Sequence, residues 1–71
     1  MMQFFCIIEL FEEEQVKYMT VPFQGGSMSL PEKENMQDRD DIVEKVKEAY
    51  PNKTILDLVG IVYEGETIWQ D

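Results

Sequence analysis

Thr54–Tyr63 reads Thr-Ile-Leu-Asp-Leu-Val-Gly-Ile-Val-Tyr and is the longest run of β-branched and aliphatic residues in the chain. In an extended strand, alternate side chains point to opposite faces of the sheet. This alternation places Ile55, Val59, Ile61 and Tyr63 on one face, and Leu56, Leu58 and Val62 on the other. Because both faces are apolar, the stretch is predicted to be a central strand with a neighbour on each side.

Two further strands are predicted before it. Residues 2–11 place apolar side chains at every even position. In residues 16–23, Met19, Val21 and Phe23 alternate with Tyr18 and Thr20. Pro22 has no N–H group to donate to a ladder, so the second strand is predicted to lie at an edge or to end there. The acidic segment 12–15 is short enough to close an antiparallel hairpin between the two strands.

One amphipathic helix is predicted at residues 38–50. Its apolar residues recur at the spacing of one helical face; they are Ile42, Val43, Val46, Ala49 and Tyr50. Asp38 is predicted to cap the N-terminus, and Pro51 is predicted to end the helix.

The remaining segments are connections and one short strand. Gly25-Gly26 predicts a turn, and residues 29–32, Ser-Leu-Pro-Glu, have the capping-box spacing that starts a helical turn. Gly60 predicts a bulge in the central strand or the close approach of a neighbour. Residues 64–66, Glu-Gly-Glu, predict a turn into a last strand at residues 67–69.

The resulting order ββαββ predicts an α+β fold in a single domain spanning residues 1–71. We expect a small antiparallel sheet of three or four strands with one helix on one face. The even-numbered face of the first strand and one face of the central strand are expected to meet the helix. A single helix cannot cover both sheet faces, so Phe5, Ile7 and Phe11 are expected on an open face.

The charge balance limits the classes of partner. Fifteen acidic and six basic residues, with no histidine, give a net charge of −9. The phosphate backbone of a nucleic acid and an anionic membrane surface would both repel such a chain. We therefore expect no direct nucleic-acid or membrane partner. A basic protein partner is compatible with this charge.

The sequence also bears on location. No stretch approaches the length of a membrane-spanning helix, and the first residues lack the basic region of a signal peptide. Cys6, the single cysteine, cannot form a disulfide within the chain, which favours a reducing compartment. We expect a cytoplasmic protein, in the host cytoplasm if the source is viral.

The residue types argue against an enzyme. Without histidine, the chain lacks the commonest general base and metal ligand. Cys6 has no histidine partner and no nearby cation in the sequence to stabilise a catalytic thiolate. Ser27 and Ser29 have no evident base to activate them for acyl transfer. The aspartates at 38, 40 and 41 lack the glycine and distal glutamate of a calcium loop. We predict no catalytic residue, no cofactor and no metal site.

Two functional hypotheses follow. In the first, carboxylates at three places imitate the phosphates of a nucleic acid and block a basic nucleic-acid-binding protein. These residues are Glu12, Glu13 and Glu14 at the hairpin tip, Asp41, Glu44 and Glu48 on the helix, and Glu64 and Glu66 at the last turn. Small acidic α+β inhibitors that phages direct against host defence enzymes have this size and charge, although no motif here identifies a family.

In the second hypothesis the chain is a structural or assembly protein. Its open sheet face would form a homo-oligomer through Phe5, Ile7, Phe11 and Trp69, and the acids would keep the assembly soluble. The two hypotheses are compatible, because a dimer built through the sheet can display its acids outward. A role as an accessory subunit of a larger complex is a third interpretation.

Overall fold

The computed structural model describes residues 2–24 and 29–71. In chain order its elements are β1 (Gln3–Glu12), β2 (Gln15–Gln24), α1 (Met36–Ala49), β3 (Thr54–Tyr63) and β4 (Glu66–Gln70). The strands form one antiparallel sheet in the order β2-β1-β3-β4, with α1 on one face. The predicted α+β fold is therefore confirmed. The turn predicted at Gly25-Gly26 lies outside the described residues.

A tight hairpin joins β1 to β2. Phe11 pairs with Val16 and Glu12 with Gln15, so the loop consists of Glu13 and Glu14 alone. Both loop residues have positive φ, 55° and 60°, as a type I′ turn requires. β2 pairs with β1 and no other described strand, which confirms the edge position predicted from Pro22.

β3 is a central strand, as predicted, but its side chains do not alternate as predicted. Ile55, Leu58 and Ile61 share the core face, three residues apart. They pair with the successive even residues Leu10, Ile8 and Cys6 of β1. The face assignment of Ile55, Val59, Ile61 and Tyr63 against Leu56, Leu58 and Val62 is therefore wrong.

Two β-bulges cause this difference. The register between β1 and β3 shifts between Ile7 and Ile8 and again between Glu9 and Leu10. Each bulge adds one residue to β3 opposite a single step of β1, which reverses the alternation beyond it. The bulge predicted near Gly60 is confirmed, and a Cβ atom at that position would lie 2.9 Å from Ile7 Cδ1.

The helix begins earlier than predicted. Asn35 is the N-cap, and its side-chain oxygen accepts a hydrogen bond of 3.1 Å from the Asp38 N–H. Asp38 is thus the third helical residue, and its prediction as the cap is wrong. Ile42, Val43 and Val46 are buried as predicted, whereas Ala49 is exposed.

Residues 29–32 do not form the predicted helical turn. A turn at residues 33–34 precedes the helix instead, closed by a hydrogen bond from the Asn35 N–H to the Glu32 carbonyl oxygen. The Pro31 and Trp69 side chains lie beside this segment, and Trp69 Nε1 donates to the Pro31 carbonyl oxygen at 2.8 Å. The connection into the helix is thereby fixed to β4.

The core lies between the helix and one face of the sheet. Its buried members are Phe4, Cys6, Ile8, Leu10, Val21, Ile42, Val43, Val46, Ile55, Leu58 and Ile61. The even residues of β1 face this core, as the sequence predicted. The odd residues face away from it, and Phe5 and Phe11 remain 41% and 46% exposed. No helix among the described residues has the length and apolar character needed to cross a membrane.

A buried arginine closes one end of the core. Arg39 lies on α1 and is 7% exposed. Its Nη2 donates to the Leu58 carbonyl oxygen at 2.9 Å and to Asp71 Oδ2 at 2.8 Å, while Nη1 donates to the Lys33 carbonyl oxygen at 2.9 Å. The Asp71 N–H donates to the Val59 carbonyl oxygen at 2.8 Å. Val59 immediately precedes Gly60, where the pairing of β3 with β4 begins. The Leu58 carbonyl oxygen, which lies beyond the end of the β4 ladder, therefore accepts its hydrogen bond from Arg39 instead of from a strand.

Candidate partner-binding surface

A groove runs between α1 and the end of β2. Four carboxylates line it, from Asp38, Asp41, Glu44 and Glu48, together with Lys45 and the apolar side chains of Ile42 and Phe23. We call this set of residues the acidic groove. It includes the whole acidic stripe that the sequence predicted on the helix.

Helical spacing and sheet register together build the acidic groove. Residues three and four apart on a helix are neighbours on its surface, so positions 38, 41, 45 and 48 lie along one edge of α1. Phe23 reaches the same edge from β2, where it pairs with Phe4 and packs against its ring at a centroid distance of 5.7 Å. The groove thus has an apolar floor and a charged rim.

The carboxylates of the acidic groove are only partly neutralised by the described part of the protein. None of the four forms an ion pair there, and Asp41 accepts one hydrogen bond, of 2.9 Å, from Gln37 Nε2. With Lys45 the lining residues carry a net charge of −3. These groups repel one another along the helix, and a cation in the groove would relieve that repulsion.

The hairpin tip differs from the acidic groove, because its acids have basic partners. Glu12 Oε1 lies 2.9 Å from Lys53 Nζ, and Glu13 Oε1 lies 2.7 Å from Lys17 Nζ. The hydrogen bond and the charge of Lys53, aided by the charge of Lys17, lower the pKa of Glu12. Glu14 is the one acid of the tip without an ion pair among the described residues.

The last turn lies at the opposite end of the sheet. The register pairs Phe11 with Thr54 near the hairpin tip and Phe5 with Val62 near the last turn. Glu64 and Glu66 are exposed there, without ion pairs in the described structure, and Glu64 has a positive φ of 50°. Since the protein is 36 Å long, one small partner surface cannot contact both turns closely.

The structure therefore groups the sequence-predicted acids unequally. Asp41, Glu44 and Glu48 share one groove, while the tip acids and the last-turn acids lie at separate ends. From the sequence, Asp38 was predicted only as a helix cap and Phe23 only as an apolar residue of the second strand, so neither was predicted to line a groove. The spacing 38-41-45-48 on one helix edge was the signal for Asp38, but nothing local in the sequence brings Phe23 to the helix.

The four residues predicted for self-association do not share a face. Phe5, Ile7 and Phe11 lie on the open face of the sheet, away from the helix. Trp69 pairs with the core residue Ile61 and packs on the helix side, with Arg39 over its ring at 5.1 Å. Val16 and Tyr18 of β2 lie on the open face instead of Trp69, because they pair with Phe11 and Glu9 of β1. They are 51% and 62% exposed.

The described residues contain no group of three or more histidine, cysteine, aspartate or glutamate side chains placed to hold a metal ion. Cys6 is fully buried, and this burial raises the pKa of its thiol to about 12. A thiol with so high a pKa stays protonated at neutral pH and is a poor nucleophile.

The fold and the groove define a small acidic α+β protein whose core lies on one face of its sheet. No protein-family model, curated protein or solved structure matches the chain.

Proposed function

We propose that this chain is a small acidic binding protein, not an enzyme, that occupies and blocks a basic surface of a nucleic-acid-binding protein. The observation that supports it best is the acidic groove, in which four carboxylates without ion pairs in the described structure surround an apolar floor. A lysine or arginine side chain matches this arrangement, because its stem is apolar and its head is cationic. The stem would lie on the half-buried Phe23 ring, and the head would reach the rim.

The charge pattern supports imitation of a short stretch of nucleic acid. Eleven of the fifteen carboxylate side chains form no ion pair with the described residues. A DNA duplex of the protein's length, 36 Å, carries about 21 phosphates. The protein thus has about half the charge density of a duplex. It suits a local basic patch better than a channel that encloses a whole duplex.

The proposed partner is a protein rather than a nucleic acid or a membrane, since both of the latter repel a chain of net charge −9. The proposed location is the cytoplasm, or the host cytoplasm if the source is viral, where the single cysteine stays reduced. Electrostatic steering would make association fast and sensitive to salt.

The acidic groove can be tested with an arginine-rich peptide as the probe. The triple variant Asp41→Asn, Glu44→Gln, Glu48→Gln removes three groove charges. The control Glu14→Gln, Glu64→Gln, Glu66→Gln removes the same number elsewhere. We expect the groove variant to lose at least about tenfold in affinity by calorimetry and the control to lose much less. Equal losses would show that net charge alone attracts the peptide.

The blocking function requires the natural partner. The chain, immobilised, is exposed to extract of its native host at about 0.05 M salt, and captured proteins are identified by mass spectrometry. We expect a basic nucleic-acid-binding protein that is released by about 0.5 M salt and by competing duplex DNA or RNA. Capture that is indifferent to both salt and nucleic acid would rule out the mimic.

A further inference from the structure

The sheet face opposite the helix has no cover in the described structure. Its residues are Phe5, Ile7, Glu9 and Phe11 of β1, Val16, Tyr18, Thr20 and Pro22 of β2, and Val62 of β3. We call this surface the open face. Four of its large apolar or aromatic side chains are 41–62% exposed: Phe5, Phe11, Val16 and Tyr18.

The open face is poor in charge, although the chain carries −9. Glu9 is the carboxylate near its centre, and it accepts a hydrogen bond of 3.4 Å from the Tyr18 hydroxyl. Asp57 is the partner of Glu9 in the register of β1 and β3. Its charge is offset by Arg39, whose Nη2 lies 3.5 Å from Asp57 Oδ2. A strongly charged partner would find no matching groups here, whereas another apolar sheet face would.

The size of the open face fits a second copy of the chain. Three ten-residue strands make a surface about 33 Å long and 15 Å wide, with β4 widening one end. Two such faces bury roughly 1,000–1,200 Å² together, close to the lower limit of stable protein–protein interfaces. An apolar face of this kind is complementary to itself, as a twofold interface requires.

We infer that the chain forms a symmetric dimer in which the open faces of two copies pack together. The two sheets form the inner layers of a sandwich, about 10 Å apart, and a helix covers each outer side. Phe5, Phe11, Val16 and Tyr18 lose their contact with water. The two acidic grooves then lie on opposite outer surfaces.

The salt dependence of this dimer is opposite to that of the proposed basic complex. Two copies of net charge −9 repel each other, so screening by salt strengthens their association. The Glu9 carboxylates of the two copies add to the repulsion near the interface centre. Dimerisation and partner binding can therefore be measured separately.

Analytical ultracentrifugation between about 1 and 200 µM tests the inference, at about 0.05 and 0.5 M salt. We expect a dimer that tightens at high salt. Phe11→Glu should weaken it at least about 30-fold, and Glu9→Gln should tighten it about tenfold. Ile68→Glu is the control, because Ile68 is 44% exposed but lines a surface beside Trp69 and Pro31 on the helix side.

Circular dichroism establishes that each variant is folded before its association is measured. A monomer at about 200 µM in high salt would overturn the inference. An oligomer that resists Phe11→Glu, or one that Ile68→Glu disrupts equally, would also overturn it, because association would then use a strand edge or another surface. A folded Glu9→Gln variant that associates no more tightly than the original chain would likewise contradict an interface centred on the open face.

Discussion

The guanidinium of Arg39 lies over the indole ring of Trp69, 5.1 Å from its centroid. Through this contact and its hydrogen bonds, one side chain of α1 holds the edge of β3, the last strand and the segment before the helix. A cation against an aromatic ring in a partly desolvated site contributes about 1–2 kcal/mol beyond the hydrogen bonds.

Replacing Arg39 by methionine should therefore destabilise the protein by about 2–3 kcal/mol, because the Leu58 carbonyl and Asp71 both lose a donor. Lys47→Met removes the same charge from an exposed site of the same helix and should change the stability by less than about 0.5 kcal/mol. Urea unfolding followed by the fluorescence of Trp69, the single tryptophan, measures both. Similar losses in the two variants would contradict the structural role of Arg39.

The hairpin tip should gain stability from a glycine. Glu14 has a φ of 60°, in the left-handed region that side chains with a Cβ occupy at a cost. Glu14→Gly and Glu14→Ala both remove the carboxylate, but only glycine relieves that cost. We expect the glycine variant to be about 1 kcal/mol more stable than the alanine variant in thermal or urea unfolding. Equal stability would mean that the turn adopts another conformation.

Gly60 should not tolerate a side chain. A Cβ atom there would lie 2.9 Å from Ile7 Cδ1 and 3.2 Å from the Trp69 carbonyl oxygen. Gly60→Ala should cost about 1–3 kcal/mol, because the side chain and the β4 backbone must both move. Adding Ile7→Val removes the first clash and should recover part of the loss. A double-mutant cycle by urea unfolding that shows no coupling would place the strain elsewhere.

Glu12 should make stability depend on acid pH. Its pKa in the folded state is lowered, mainly by Lys53, so the folded state favours the carboxylate. This stabilisation is present above the unfolded pKa of about 4.3 and is lost as pH falls through the lower folded pKa. In an NMR titration, Lys53→Met should return the Glu12 midpoint toward its ordinary value. An unchanged midpoint would exclude Lys53 as the main cause.

Cys6 should react only when the protein opens. Its thiol is fully buried, with a pKa raised to about 12, so the thiolate is disfavoured in the folded state. Ellman's reagent should modify it only through opened states, and urea should accelerate the reaction because it raises their population. Stability should fall as pH rises above the unfolded thiol pKa of about 8.5. Rapid modification under native conditions would contradict the buried position.

Local patterns in the sequence determined the elements and their order. Even-numbered apolar residues of β1, the helical spacing of Ile42, Val43 and Val46, and Pro22 at an edge all follow from rules that act within a few residues. The α+β class follows from that order. The acidic stripe Asp41, Glu44 and Glu48 was also visible, because helical geometry alone sets its spacing.

Tertiary structure decided what no local pattern encodes. The two bulges of β3 depend on pairing with β1, and they move Leu58 to the core and away from its predicted face. Packing across the molecule buries Arg39, turns Trp69 toward the helix, and brings Phe23 to the edge of α1. Contacts between residues distant in the chain fix these positions, since register and packing depend on the partner strand or helix as much as on the residue itself.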